Sequence, residues 1–344
     1  MSYSLETISP LDRRSNAQMD ELLKAEGIRR DGHLDYSCGL FDDDGKLVAT
    51  GSSYGNTLRC LAVSSSHRGE GLMNQVVSHL SERLLNNGYF HQFLYTKEKN
   101  YRIFADLGFY EIARIEGQLV FMENRKGGFE RFLSSLGDVK KDSACIVMNA
   151  NPFTLGHRYL IKKAASENSF VHLFLLSEEA GPIPFAVRKK LVLEGIKDLE
   201  NVIFHESGPY MISSATFPSY FLADEDTAIN AHAILDLKIF SKIASHLDIH
   251  SRYAGSEKTS HVTGLYNSVM ASELPKYGIR FVEVERLSKE GETVSASTVR
   301  QAIHDDKLPE VINMLPESTA RFFQSSEAES VIRAIKAMKD PRHY

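Results

Sequence analysis

The sequence predicts an α/β protein of two successive units, a mixed α/β unit first and a unit built on a parallel sheet second. Three observations carry this. Apolar runs of strand length alternate with stretches whose apolar residues recur at helical spacing. At 344 residues the chain is long enough for two cores. A polar break separates them: Asn124-Arg125-Lys126-Gly127-Gly128, a short helix, then Asp138-Val139-Lys140-Lys141-Asp142. The expected division is a first domain over 1–125, a linker over 126–142, a second domain over 143–325 and a helical tail over 326–344.

In the first unit the apolar spacing predicts a helix around Asn16–Glu26. A hairpin follows, with strands Tyr36–Phe41 and Lys46–Ser53 about the turn Asp42-Asp43-Asp44-Gly45, whose Asp and Gly tolerate turn backbone angles. Strand Thr57–Val63 leads through a Gly-containing turn into helix Leu72–Asn86, apolar at 72, 73, 76, 77, 80 and 84. Strand Phe90–Tyr95, helix Lys99–Leu107 and strands Phe109–Ile115 and Gln118–Met122 complete it. In the second unit strands Ala144–Met148, Phe170–Leu176, Val202–His205, Ile249–Ala254 and Arg280–Glu285 alternate with helices His157–Glu167, Phe185–Ile196, Thr227–Ser245 and His261–Glu273. Such alternation predicts a parallel sheet with helices on both faces and ligands beyond the strands' carboxyl ends. The segment Gly208–Ala223, rich in Ser, Pro and aromatic residues, either lines a pocket or covers the core.

Composition excludes several classes. Hydrophobic content of 42% and charged content of 25% are those of an ordinary folded protein. A net charge of −5 gives no general attraction to nucleic acid or anionic membrane, so phosphate binding has to be local. No stretch approaches the roughly 20 apolar residues of a membrane span, and Met1–Glu6 lacks the basic and apolar parts of a signal peptide. Cys38, Cys60 and Cys145 lack metal-ligand spacing. They are expected to be reduced thiols of a cytoplasmic protein.

The most informative run is Ile146-Val147-Met148-Asn149-Ala150-Asn151-Pro152-Phe153-Thr154-Leu155-Gly156-His157. An apolar strand breaks into a polar turn and enters a helix through a hydroxyl, a glycine and an imidazole. The unpaired amides and dipole of a helix start favour anions, and Thr154 and His157 share one face of the first turn. On these residues alone, a plain strand-to-helix turn is an equal reading. The run resembles the Thr/His-x-Gly-His motif of the nucleotidyltransferase superfamily, which holds ATP phosphates. The resemblance implies a Rossmann-like second domain with Asn149, Ala150, Asn151, Phe153 and Gly156 around the nucleotide, although Asn151 reads first as a turn former and only second as a ligand. Val294-Ser295-Ala296-Ser297-Thr298-Val299-Arg300 opens a later helix and resembles the Ile-Ser-Ser-Thr-x-x-Arg element of the same superfamily. Three hydroxyls and open amides can take phosphate oxygens, and Arg300 offers a rigid fork of donors. Gly255 and Glu257 stand at a strand end that resembles the adenosine contact, and Arg188 opens a helix from which it reaches phosphate or merely solvent.

No Cys-His or Ser-His-Asp set and no Walker glycine loop stands out. Adenylyl transfer needs neither. It needs in-line positioning and stabilised charge, here expected from Thr154, His157 and Arg300. Mg²⁺ is expected to be held mainly by the ATP phosphates, with no dedicated protein ligands.

In the first unit Arg68-Gly69-Glu70-Gly71-Leu72-Met73 resembles the pyrophosphate-binding motif of the GCN5-related acetyltransferases, and Asn100–Tyr110 resembles that fold's late helix and Gly-Phe strand entry. This implies an acetyltransferase-like domain with Arg68, Gly69 and Gly71 at a coenzyme A-like group. Met73 departs from the usual Gly or Ala, no acid or base is identifiable, and a fold kept for shape or docking stays open. The pairing of the two domains is similar to that of the citrate lyase ligase family. Membership implies activation of acetate by ATP through acetyl-adenylate. It also implies acetylation of the thiol of citrate lyase's acyl-carrier subunit, whose prosthetic group derives from dephospho-coenzyme A. Two alternatives remain: an adenylyltransferase acting on phosphopantetheine or a mononucleotide, and a non-catalytic sensor of acyl-CoA or nucleotide.

Overall fold

Asp42 opens the first hairpin: its carboxylate accepts from the amides of Asp44 and Lys46 at 3.1 and 2.9 Å, and Gly45 takes the left-handed φ of +71° that the turn requires. The structure, a computed structural model, describes residues 2–179, 181–211, 225–257, 261–289 and 291–342. Its elements in the first half are β1 (Ser4–Thr7), α1 (Arg13–Ala25), β2 (Tyr36–Phe41), β3 (Leu47–Tyr54), β4 (Thr57–Val63), α2 (Leu72–Asn86), β5 (Phe93–Lys97), α3 (Tyr101–Asp106), β6 (Tyr110–Ile115), β7 (Leu119–Glu123) and α4 (Gly128–Ser135).

The seven strands form one sheet in the order β1-β2-β3-β4-β5-β7-β6. All pairs are antiparallel except β4 with β5. That parallel pair matches only Thr57 with Phe93 and Leu58 with Leu94, so the two strands part while β4 continues to Val63. Helix α2 buries Leu72, Val76, Val77, Leu80 and Leu84 in a cluster with Leu40, Val48 and Leu94. Helix α1 buries Met19, Leu22 and Leu23 against Phe41, Leu47 and Ala62. The periodic residues of each helix are thus the ones the sheet covers.

The second half contains β8 (Ser143–Met148), α5 (Leu155–Glu167), β9 (Phe170–Leu175), α6 (Phe185–Gly195), β10 (Val202–Glu206), α7 (Glu225–Leu247), β11 (Ile249–Gly255), α8 (His261–Glu273), β12 (Arg280–Val284), a hairpin of β13 (Ser288–Lys289) and β14 (Glu292–Thr293), α9 (Ala296–His304), α10 (Leu308–Val311), α11 (Glu317–Phe323) and α12 (Glu329–Lys336). Five strands form an all-parallel sheet in the order β10-β9-β8-β11-β12. The first strand of this half sits in the middle, and strand order reverses between β8 and β11. That reversal opens a crevice at the carboxyl ends of those two strands, where ligands bind in such sheets. The core joins Ile146, Leu173 and Tyr253 of the sheet with Ile161, Val192 and Val299 of the helices. Val331 and Ile335 of α12 belong to it too, so the segment set apart as a tail packs into this core.

The chain divides into two compact units, Met1–Arg131 with Pro218–Ala231, and Phe132–Phe217 with His232–Tyr344. Among the described residues no helix is long and apolar enough to cross a membrane. Local differences from the sequence reading have physical causes. Helix α1 starts at Arg13 because the Asp12 carboxylate caps it, accepting from the amides of Arg14 and Ser15. Strand β5 lies three residues later than expected, leaving Phe90 62% exposed. Strand β1 is exposed at all four positions and carries no alternation to read. Of the Gly208–Ala223 segment, residues 212–223 lie outside the described residues.

Candidate active site

Thr154 ends the turn after β8 in extended backbone and caps α5. Its hydroxyl oxygen accepts from the His157 amide at 3.4 Å, while its own amide donates to His157 Nδ1 at 3.1 Å. This is a capping box with an imidazole in place of the usual carboxylate or carboxamide. The reciprocal bonds lock the ring against the first turn. Nδ1 acts as an acceptor and so carries no proton. Burial, then the charges of Arg286 and Arg300, lower the His157 pKa to about 4. The ring is therefore neutral near pH 7 with its proton on Nε2, an N–H donor without a partner among the described residues. Thr154 is 1% exposed, and its hydroxyl takes part in the cap.

The turn itself is held from behind. Arg188 of α6 is 1% exposed. It donates to the carbonyls of Ile183, Asn149 and Leu176 at 3.1, 2.8 and 2.9 Å, to Asn149 Oδ1 at 2.9 Å, and to the Glu178 carbonyl. These donors fix the turn. Asn149 is accordingly tied down, and Ala150 is buried with a left-handed φ of +52°, a strained angle for alanine that this packing sustains. Phe153 closes the same turn. Its ring is fully buried, and a Cβ added at Gly195 of α6 would come within 2.4 Å of it. It anchors the turn in the core, with its ring stacked on His157 at 6.0 Å. Asn151 is different: it is 2% exposed, and both side-chain atoms, Oδ1 and Nδ2, lack a hydrogen-bond partner among the described residues. A buried amide left so costs about 1–3 kcal/mol, which marks it as a group awaiting a ligand or water.

The late element lies against the first. A Cβ at Gly156 would come within 2.5 Å of the Val294 carbonyl, so only glycine lets the first turn of α5 meet the segment leading into α9. Ser295 caps α9, accepting from the Thr298 amide at 3.1 Å. Its hydroxyl lies 2.9 and 2.8 Å from those of Ser297 and Thr298, and the chain from Ser295 through Ala296 to Thr298 is half-buried. Arg300 is brought to the site, yet it too is 4% exposed and occupied. Its guanidinium donates to the carbonyls of Asn151, Pro341 and Arg342 at 2.6, 2.7 and 2.8 Å. These bonds tie α9 to the first turn and to residues 341–342.

At the end of β11, the Gly255 carbonyl accepts from Asn267 Nδ2 at 3.0 Å. The buried Glu257 carboxylate pairs with Arg286, which also donates through Nε to the Ser256 carbonyl at 2.7 Å. Sequence reading missed Arg286. Its one signal was its place just beyond β12, at the ligand-bearing end of the sheet. Among the described residues no group of three or more His, Cys, Asp or Glu could hold a metal ion.

The first unit has its own helix start. Gly69 and Gly71 adopt φ of +84° and +75°, and Gly71 precedes α2 without a side-chain cap. That leaves the first amides of α2 open, the arrangement that accepts phosphate. Arg68 is 63% exposed and paired with Glu26 at 2.6 Å. Met73, the departing residue, packs on the α2 core.

Comparison with known proteins agrees with both halves. Residues 143–323 match the family model for the citrate lyase ligase C-terminal domain, and residues 3–109 match that for the acetyltransferase (GNAT) family. The citrate (pro-3S)-lyase ligase of Escherichia coli (strain K12) is 36% identical over 307 residues, covering 87% of each chain. That of Klebsiella pneumoniae is 36% identical over 83% of this chain and 86% of its own. That of Haemophilus influenzae is 31% identical over 91% and 96%.

Proposed function

The chain belongs to the citrate lyase ligase family, and on that premise we propose that it activates citrate lyase by ATP-dependent acetylation of the acyl-carrier subunit. An acetate oxygen attacks the α-phosphorus of ATP, the bond to pyrophosphate breaks, and acetyl-adenylate results. The prosthetic-group thiol, losing its proton, then attacks the acetyl carbonyl and AMP leaves with the carboxyl oxygen. The observation that carries this reading is the locked, neutral His157 at the start of α5 in the switch-point crevice. Its Nε2–H donates to the charge that grows on phosphate, where a fixed donor is worth far more than in water.

The surrounding groups fit a nucleotide. The open amides at the starts of α5 and α9 donate to phosphate oxygens, and the orphaned Asn151 carboxamide gains the partners it lacks. Mg²⁺, when bound, neutralises phosphate charge and is held mainly through the phosphates. Arg188, Arg300 and Thr154 position these groups without touching substrate. The open start of α2 receives the prosthetic arm, with Arg68 leaving Glu26 for a phosphate. Buried, unpaired Cys38, Cys60 and Cys145 suit the reducing cytoplasm.

The test is pyrophosphate release from ATP and Mg²⁺ with acetate, with and without deacetylated citrate lyase. Release that requires acetate, with a mass gain of one acetyl group on the carrier subunit, is expected. Release with phosphopantetheine or a mononucleotide instead would move the assignment to the simple adenylyltransferases.

A further inference from the structure

Three arginines meet around the first turn of the second unit, and they are not equivalent. Arg188 and Arg300 are buried, and their guanidinium groups bind main-chain carbonyls on several sides. Moving either onto a phosphate would leave buried carbonyls without donors, at about 1–3 kcal/mol each. Arg286 has the opposite character. Its side chain is 33% exposed, and it is tethered along one edge only, Nε to the Ser256 carbonyl and Nη2 to the Glu257 carboxylate. Nη1 has no partner among the described residues, so the guanidinium is oriented while one face of its fork stays open.

Its place follows from the chain. Arg286 leaves β12 beside the end of β11, where a Cβ at Gly255 would lie 3.9 Å from its Cγ. The next residue, Leu287, accepts through its carbonyl from the Val294 amide at 2.9 Å, and Val294 in turn abuts Gly156 in the first turn of α5. Arg286 therefore stands on the rim of the crevice that holds His157.

We propose that Arg286, with Nη1 open, is the arginine that contacts the phosphate chain of ATP, and that Glu257 is the positioning residue that aims it. The inference rests on the adenylate-forming reading above. Glu257, expected at adenosine, takes a different part: a buried carboxylate fixing a guanidinium.

The experiment is acetate-dependent ATP–pyrophosphate exchange by the full chain, with kcat and the KM for ATP measured for wild type, Arg286→Ala, Arg286→Met and Glu257→Gln. Loss of the guanidinium is expected to lower kcat about 100-fold, with added guanidinium ion restoring part of it in Arg286→Ala. If the alanine variant does not fold, Arg286→Met, which keeps the apolar stem, gives the same reading. Glu257→Gln is expected to lower kcat about 10-fold with little change in the KM for ATP, as misorientation does. Exchange by the Arg286 variants at the wild-type rate would overturn the proposal while leaving the adenylate-forming reading intact. Absence of exchange in the wild type would instead overturn that reading, and this inference with it. A Glu257→Gln protein that is less stable but keeps its kcat would reduce Glu257 to a structural partner and overturn the positioning half.

Discussion

The two helix starts, α5 in the second unit and α2 in the first, present the same elementary chemistry in opposite states of preparation. Both follow a strand and a turn, and both offer unpaired amides to an anion. At α5 a side chain caps the helix, the imidazole is locked by two reciprocal bonds, and buried arginines hold the turn from behind. At α2 the cap is a bare glycine in left-handed backbone, and the one arginine is mostly exposed and already paired with Glu26. A site that stabilises transient charge gains from rigidity, because its dipoles cost nothing to reorganise. A site that admits and releases a tethered arm gains from openness.

The largest expected effect breaks the prepared site. His157→Ala should lower acetate-dependent pyrophosphate exchange about 1,000-fold. Gly156→Ala comes next, because its methyl group meets the Val294 carbonyl at 2.5 Å. It should part the starts of α5 and α9 and cost about 100-fold in exchange, while alanine elsewhere on the exposed face of α5 is tolerated.

The prepared site also has a pH signature. His157, His172 and His205 each have a pKa lowered to about 4, chiefly by burial. Their folded values lie below the unfolded value of 6.5, so the unfolded chain takes up protons first as pH falls. Their contribution to stability is complete above pH 6.5, is lost between 6.5 and about 4, and changes no further below that. For His157 this amounts to about 1–3 kcal/mol, measurable as the part of the fall in urea midpoint between those pH values that His157→Gln removes, the rest remaining with His172 and His205.

The open site should respond more gently. Arg68→Ala should raise the KM for the carrier subunit about 5-fold, the scale of an exposed ionic contact, without changing acetyl-adenylate formation. Glu26→Gln, which frees Arg68, should lower that KM by about 2-fold at low salt, and the gain should fade as salt rises.

How much of this the chain discloses depends on what carries each contact. The alternation of strands and helices was readable because apolar spacing records which face is buried, and the start of α5 because Thr154 and His157 form a local capping box. The partners of Arg188 and Arg300 were not readable. They are main-chain carbonyls of residues such as Leu176 and Pro341, and a carbonyl leaves no mark in side-chain identity. The motif letters therefore do not show the ties that these arginines make in the fold. Arg286 was missed for the converse reason: it belongs to no short pattern, and only the sheet order brings β12 beside β11.

The most direct measurement compares the two starts in one partial reaction, acetate-dependent ATP–pyrophosphate exchange without the carrier subunit, for His157→Ala and Arg68→Ala. The account predicts exchange lost in the first variant and at the wild-type level in the second, whose defect appears only when the carrier is added. Exchange that survives without His157, or that falls without Arg68, would contradict the division of labour between a prepared nucleotide site and an open arm site.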